Sequence, residues 1–386
     1  LVIPGGEAWL AAGVADRLRS VAIPCVGPTA AAARLESSKV FARTLAAWLG
    51  VPGPRFRCVY GERDLSHALS DFDAVPVLKA DGLAAGKGVY LPDGWGECWS
   101  LGRALLNGAL GAAGRTLIVE ERLHGTEASL FFACAGRDCV ALPHARDHKR
   151  LYDGDRGPNT GGMGAVSPCP ATTPALVADV QARIVQPMLD ALVQAGQPFV
   201  GFLFVGLMLT AQGPQLLEFN VRLGDPEAQA ILPRFADGEF LRLCRAMVAG
   251  TLRDATPVVP PGATCAVVLC SRGYPAAPVV GHQIDIDAPT LRDSGARLLH
   301  SGTRWDGARL VTAGGRVVTL VGHGDTLAAA RAQAYRAVAA VRFDGCHHRH
   351  DIGQHAGPPG LRAEGSDDDT GDAGTAPAES ERVVTG

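Results

Sequence analysis

Residues 79 to 89 read K-A-D-G-L-A-A-G-K-G-V and lie between two strand-like runs. Gly82, Gly86 and Gly88 permit positive φ and close backbone approach, so successive N–H groups can wrap phosphate oxygens. Lys79 ends the preceding strand and Lys87 sits inside the loop, which brings two cations to one anion site. A flexible hairpin would explain the glycines but not the lysines. No Ser or Thr follows Lys87, and Val89-Tyr90-Leu91 is strand-like, so the loop is not a Walker A loop. No G-x-G-x-x-G follows a strand, so dinucleotide binding is unsupported.

Lysine is scarce elsewhere. Of 36 basic residues only Lys39, Lys79, Lys87 and Lys149 are lysine. In a chain that otherwise uses arginine, these four are candidates for sites that need a compact ammonium rather than a planar fork.

The 386 residues suffice for two or three domains, and a 47% hydrophobic content supplies their cores. No apolar run reaches membrane-span length and no basic-then-apolar leader opens the sequence, so a soluble, cytoplasmic protein is expected. The ten cysteines form no C-x-x-C pair, which favours buried free thiols over a zinc or redox site. Residues 354–386 carry seven acids against two arginines, a net −5 in a chain whose total is −3. Poor in apolar residues, this stretch is expected to be a disordered acidic tail. The remaining body, near neutral, gives no support for nucleic-acid binding.

Short strands are expected at 1–3 and 22–26 around a helix at 13–23, pieces of a βαβ unit. Ser37 or Ser38 can cap a helix that ends at Gly50. Strands follow at 116–121, 128–134, 199–209 and 215–221. A long helix should open at Thr173-Pro174 and run to Ala195, kinked at Pro187. Another helix is expected over about 240–252. The stretch 257–262, rich in proline, reads as a boundary before a small α+β domain with strands at 264–270 and 316–321 and a helix capped near Asp325.

Four further motifs carry chemistry. In 216–222 (L-L-E-F-N-V-R) alternate residues share a strand face, so Glu218, Asn220 and Arg222 project together while Leu217, Phe219 and Val221 face the core. A carboxylate and an amide oxygen so placed suit a hard cation such as Mg²⁺, with Arg222 beside a transferring phosphoryl group; a solvated strand face is the alternative. Glu120, Glu121 and, further on, Glu127 mark a strand-to-loop hinge. It could offer backbone groups to adenine and a carboxylate to ribose, or simply be surface acids. Asp147-His148-Lys149-Arg150 and the glycine-rich run 157–164 read as an anion-reading lip or as a long surface loop. The cluster Cys346-His347-His348-Arg349-His350 is too tightly packed in sequence to serve one metal ion well.

Taken in order, these motifs resemble the phosphoribosylamine–glycine ligase family of ATP-grasp enzymes. The likeness runs from residue 1 to 353 and includes G-P-T-A-A-A-A-R-L-E-S-S-K, E-E-R-L-H-G-T-E-A-S, D-H-K-R, G-P-N-T-G-G-M-G, L-E-F-N-V-R-L-G-D-P-E-A-Q, H-S-G-T, G-G-R-V and R-H-D-I-G. It implies an α/β and α+β architecture: an N-terminal βαβ remnant (1–37), an ATP-grasp domain (38–256, lid about 57–127) and a C-terminal α+β domain (262–353). The family's Gly-rich opening turn is not in the sequence, which is therefore expected to lack the first part of its N-terminal unit.

The resemblance also implies site residues. Lys39, Lys79 and Lys87 would hold nucleotide phosphates with Gly82, Gly86 and Gly88. Glu120 and Glu121 would mark the adenine hinge, and Glu127 would take the ribose. Glu218 and Asn220 would bind Mg²⁺ or Mn²⁺, with Arg222, Asp225 and Lys149 near the reacting groups. The implied reaction joins glycine to 5-phosphoribosylamine using ATP, through an acyl phosphate, in a monomer without nucleic-acid or membrane partners. A catalytically impaired ATP-binding remnant, or a ligase for another carboxylate and amine, are the alternatives.

Overall fold

A computed structural model describes residues 1–83 and 88–354; Gly86, Lys87 and the expected tail beyond Gln354 lie outside the described residues. Three antiparallel sheets organise the chain. The first has the order Phe56–Val59, Leu117–Glu120, Val77–Ala80, Val89–Tyr90. Val59, Leu78, Leu117 and Val119 pack on Leu65 and Ala68 of helix Glu62–Ser70 and on Cys98 of helix Trp95–Ala104.

The second sheet runs Gly213–Asn220, Val200–Thr210, Thr126–Ala135, Asp138–Ala141. Its long strands are buried on both faces, so their apolar runs are nearly continuous rather than alternating. Leu130 and Phe132 face helix Lys39–Trp48 and the helical stretch 174–194. Phe131, Phe202 and Phe204 face Leu243 and Met247 of helix Glu239–Ala249.

The third sheet runs Arg297–His300, Arg316–Gly324, Ala263–Cys270, Gly164–Ser167, Arg146–Asp147. It joins strands from both sides of the 257–262 stretch, so the C-terminal segment shares its sheet with the strands that flank the D-H-K-R motif. That sharing places Arg316 beside the loops of the preceding segment.

Several expectations need correction. Strands at 1–3 and 22–26 reduce to one parallel bridge, Val2 to Cys25, because Pro4 and Pro24 have no N–H with which to extend the ladder. The 173–195 helix carries a π-helical turn at Gln181–Val185, just ahead of Pro187. One wider turn there relieves the carbonyls that the proline cannot satisfy. Residues 157–164 are not wholly irregular: Arg156–Asn159 pairs with Arg150–Tyr152 in a hairpin, and Gly164–Ser167 is a buried sheet strand. The glycines there are demanded by close packing. A Cβ on Gly157 would strike the Tyr152 ring, and one on Gly164 the carbonyl of Ala266.

Candidate active site

A cavity of about 530 Å³ opens between the first and second sheets, and Lys39, Lys79 and Lys149, the three described lysines, all line it. Lys39 is the first residue of helix Lys39–Trp48. Its N-terminus is fixed by Ser38 Oγ, which accepts from the Phe41 N–H, and by Asp81 Oδ1, which accepts from the Val40 N–H at 3.1 Å. Asp81 thereby ties the start of the glycine-rich segment to the lysine-bearing helix. Gly82 follows with φ of 110°, a conformation that favours glycine.

The floor of the cavity is an ion triad. Glu120, 2% exposed, receives Arg43 Nε at 2.9 Å and Lys79 Nζ at 2.6 Å. Arg43 also donates to the carbonyls of Leu216 and Leu217, and Lys79 to that of Leu217 at 3.0 Å. Burial pushes the Glu120 carboxyl up, but the Lys79 and Arg43 charges outweigh it and hold it below the usual carboxylate range. The Glu120 side chain therefore braces Lys79, while Glu121, Arg122 and Leu123 beyond it border the cavity.

The expected alternation in 216–222 fails at one point. Gly206 pairs with Glu218 and Leu207 with Leu216, so Leu217 is the extra residue of a bulge. Leu216 is buried in the core as well as bordering the cavity, while Leu217, expected in the core, is only half-buried, lines the cavity and spends its carbonyl on Lys79 and Arg43. Beyond the bulge Phe219 and Val221 are buried as expected.

Glu218 and Asn220 line the cavity side by side. Burial would raise the Glu218 carboxyl, yet the charges of Lys149, Lys39 and Lys79 lower it below its ordinary value. An ionised carboxylate beside an amide oxygen is a hard donor pair that fits a small divalent cation. Among the described residues no group of three or more His, Cys, Asp or Glu could hold a metal ion, so such a cation would take its other ligands from phosphate and water. Lys149 Nζ lies 3.4 Å from Glu127, whose charge, together with those of Glu218 and Asp147, raises the lysine above its ordinary range against its burial.

The far end of the cavity is rich in charge. Arg222 bridges Glu36 at 3.2 Å and Glu7 at 3.4 Å. Glu36 also accepts the Val221 N–H, and its burial pushes the carboxyl up to about 7 despite Arg222. Asp225 receives Gln229 on one oxygen and Arg316 on the other, at 2.7 and 2.9 Å. Asp147 and Glu227 are both raised, first by burial; for Asp147 the charge of Glu227 adds to it. Asp147 Oδ1 is buried with no hydrogen-bond partner among the described residues.

Every described residue among the expected site positions except Gly82 borders this cavity: Lys39, Lys79, Gly88, Glu120, Glu121, Glu127, Lys149, Glu218, Asn220, Arg222 and Asp225. Sequence reasoning missed Arg43, Glu7, Glu36, Asp81, Glu227 and Arg316. Arg43 lies one helical turn from Lys39 on the helix expected to end at Gly50. Glu227 and Arg316 lie within recognised motifs whose individual roles only the fold reveals.

The fold recurs in solved structures. The biotin carboxylase domain of Hydrogenobacter thermophilus 2-oxoglutarate carboxylase matches with a TM-score of 0.68 at 14% identity, over 89% of this chain and 74% of that one. N5-carboxyaminoimidazole ribonucleotide synthetase from Thermus thermophilus matches at 0.62 and 21%, over 88% and 81%. With an ATP-grasp domain matched over residues 37–228, this architecture is that of an ATP-grasp enzyme, a class that uses ATP with a divalent cation.

Family models narrow this. The N, ATP-grasp (A) and C domains of phosphoribosylglycinamide synthetase match residues 1–36, 37–228 and 264–355. Phosphoribosylamine–glycine ligase of Rhizobium meliloti is 42% identical over 92% of this chain and 83% of its own length. A bifunctional purine biosynthetic protein of Schizosaccharomyces pombe is also 42% identical, and the chain spans 45% of its length. The crystal structure of the Thermotoga maritima ligase matches with a TM-score of 0.79 at 36% identity, covering 85% of this chain and 81% of that one. The chain belongs to the phosphoribosylglycinamide synthetase family. Among the described residues no helix is long and apolar enough to cross a membrane.

Proposed function

We propose that the chain joins glycine to 5-phosphoribosylamine at the expense of ATP, giving glycinamide ribonucleotide, ADP and phosphate. The observation that carries this reading is that three scarce lysines line one cavity together with Glu218 and Asn220, a lining suited to triphosphate charge and a cation. The adenine would lie against Val77, Leu123, Met208 and Leu217 by the 120–123 hinge, with Glu127 toward the ribose. Lys39 and Lys79 would hold phosphate oxygens. Glu218 and Asn220 would hold Mg²⁺ or Mn²⁺, which when bound neutralises the phosphate charge that develops on transfer.

A glycine carboxylate oxygen then attacks the γ-phosphorus and the bond to ADP breaks. Lys149 and Arg222, which line the same cavity, would neutralise the oxygens of the moving phosphoryl group. The amine nitrogen next attacks the acyl carbon of glycyl phosphate. The carbon–oxygen bond to phosphate breaks, and the nitrogen loses a proton. The protein's contribution is positioning and charge, with no covalent enzyme intermediate.

Phosphate release from ATP tests the reading. It should require both glycine and 5-phosphoribosylamine. Release that needs a different carboxylate, or none, would replace the proposal with one of the alternative activities.

A further inference from the structure

The motif Arg349–Gly353 contributes no residue to the lining of the cavity. Yet Arg349, 1% exposed, is among the largest fully buried side chains. Its guanidinium forms a two-pronged pair with Asp351, both bonds 2.7 Å, and reaches across to Asp155 Oδ1 at 2.6 Å and to the Arg150 carbonyl at 3.2 Å. The rest of the motif follows the same direction. Asp351 Oδ2 accepts the Gly154 N–H at 2.8 Å, and the His350 N–H donates to Asp153 at 2.8 Å. His347 Nε2 lies 3.0 Å from the Leu151 carbonyl. The C-terminal segment thus engages the hairpin formed by Arg150–Tyr152 and Arg156–Asn159 along its first strand, from Arg150 at the open end to residues 153, 154 and 155 in the turn.

The other end of that hairpin is the active one. Lys149, Asn159 and Thr160 line the cavity, and the Lys149 carbonyl accepts from both the N–H and the hydroxyl of Thr160 at 2.8 Å. At roughly 3.3 Å per strand residue, the clamped turn stands about 10–15 Å from Lys149, while the bond from Arg349 to the Arg150 carbonyl lies one residue from it. We propose that Arg349 is a positioning residue: by fixing the turn of this hairpin it sets where Lys149 and Thr160 meet the substrate. This rests on the ligase reading above. A buried guanidinium with planar, multi-partner geometry suits the task, because lysine could satisfy only part of it. Lys39, Lys79 and Glu120 sit on other elements, whereas Lys149 also pairs with Glu127, so the clamp should act more on the carboxylate and amine substrates than on nucleotide binding.

The test uses Asp155→Asn and Arg349→Lys in the full chain. Asp155 has a φ of 53°, which asparagine tolerates well, and its side chain is 53% exposed, so Asp155→Asn removes a clamp charge with little risk to folding. Both variants should speed amide exchange in residues 150–162 by about tenfold or more, without spreading beyond them. Both should lower kcat/KM for glycine roughly tenfold to hundredfold, a clearly larger change than in the KM for ATP. Unchanged exchange in 150–162, or a KM for ATP that rises in step with the loss for glycine, would overturn the proposal. The exchange measurement decides the clamp even if wild type fails to use glycine, a result that would sink the ligase reading instead.

Discussion

Replacing Glu120 by glutamine keeps the side chain's shape and removes its charge, which makes it a sharp test of the triad beneath the cavity. The carboxylate is 2% exposed and accepts two charge-assisted bonds, from Arg43 at 2.9 Å and Lys79 at 2.6 Å. Each such bond contributes about 1.5–3 kcal/mol, and stripping one partner from a buried ionic group costs about 3–5 kcal/mol because the remaining charges stay uncompensated. Glu120→Gln should therefore lose about 3–5 kcal/mol in urea unfolding at pH 7. The pH dependence has a definite sign. Because the folded carboxyl is held below its unfolded value, its stabilisation is present above about pH 4.3 and is lost as pH falls below that. The variant should accordingly show a flatter acid limb than wild type. A loss under about 1 kcal/mol with an unchanged acid limb would refute the reasoning.

Three other outcomes follow from the same geometry. Lys79→Arg must fit a wider fork into a 6% exposed slot that already holds Glu120 and the Leu217 carbonyl, so the KM for ATP should rise about tenfold in steady-state kinetics. Glu36 is raised to about 7, so its ionisation costs the fold on the order of 3 kcal/mol as pH climbs from about 4.5 to 7. Thermal melts of Glu36→Gln across that range should lack the decline seen in wild type. Glu218→Gln removes the ionised half of the donor pair, and half-maximal activity should need at least roughly tenfold more Mg²⁺ in a metal titration.

The parts of the site that rest on local pattern were legible in the sequence. Lysine scarcity pointed to Lys39, Lys79 and Lys149, and all three line the cavity. The strand–loop–strand pattern around residue 82 was also legible, and Val77–Ala80 and Val89–Tyr90 are strands. What escaped needed contacts between distant elements. The Leu217 bulge is defined only against Gly206 on the neighbouring strand. The role of Arg43 is set by a partner, Glu120, that is far along the chain. The shared third sheet could not be read from a proline-rich stretch at 257–262, since composition marks a break in the chain and not in the sheet.

The central claim is that glycine's carboxylate is phosphorylated before the amine attacks. Turnover with glycine labelled by ¹⁸O in both carboxylate oxygens tests it directly, with the released phosphate read by mass spectrometry. One ¹⁸O should pass to each phosphate formed, because the oxygen that attacks the γ-phosphorus leaves with it. Phosphate free of label, formed at the same rate as product, would contradict the account.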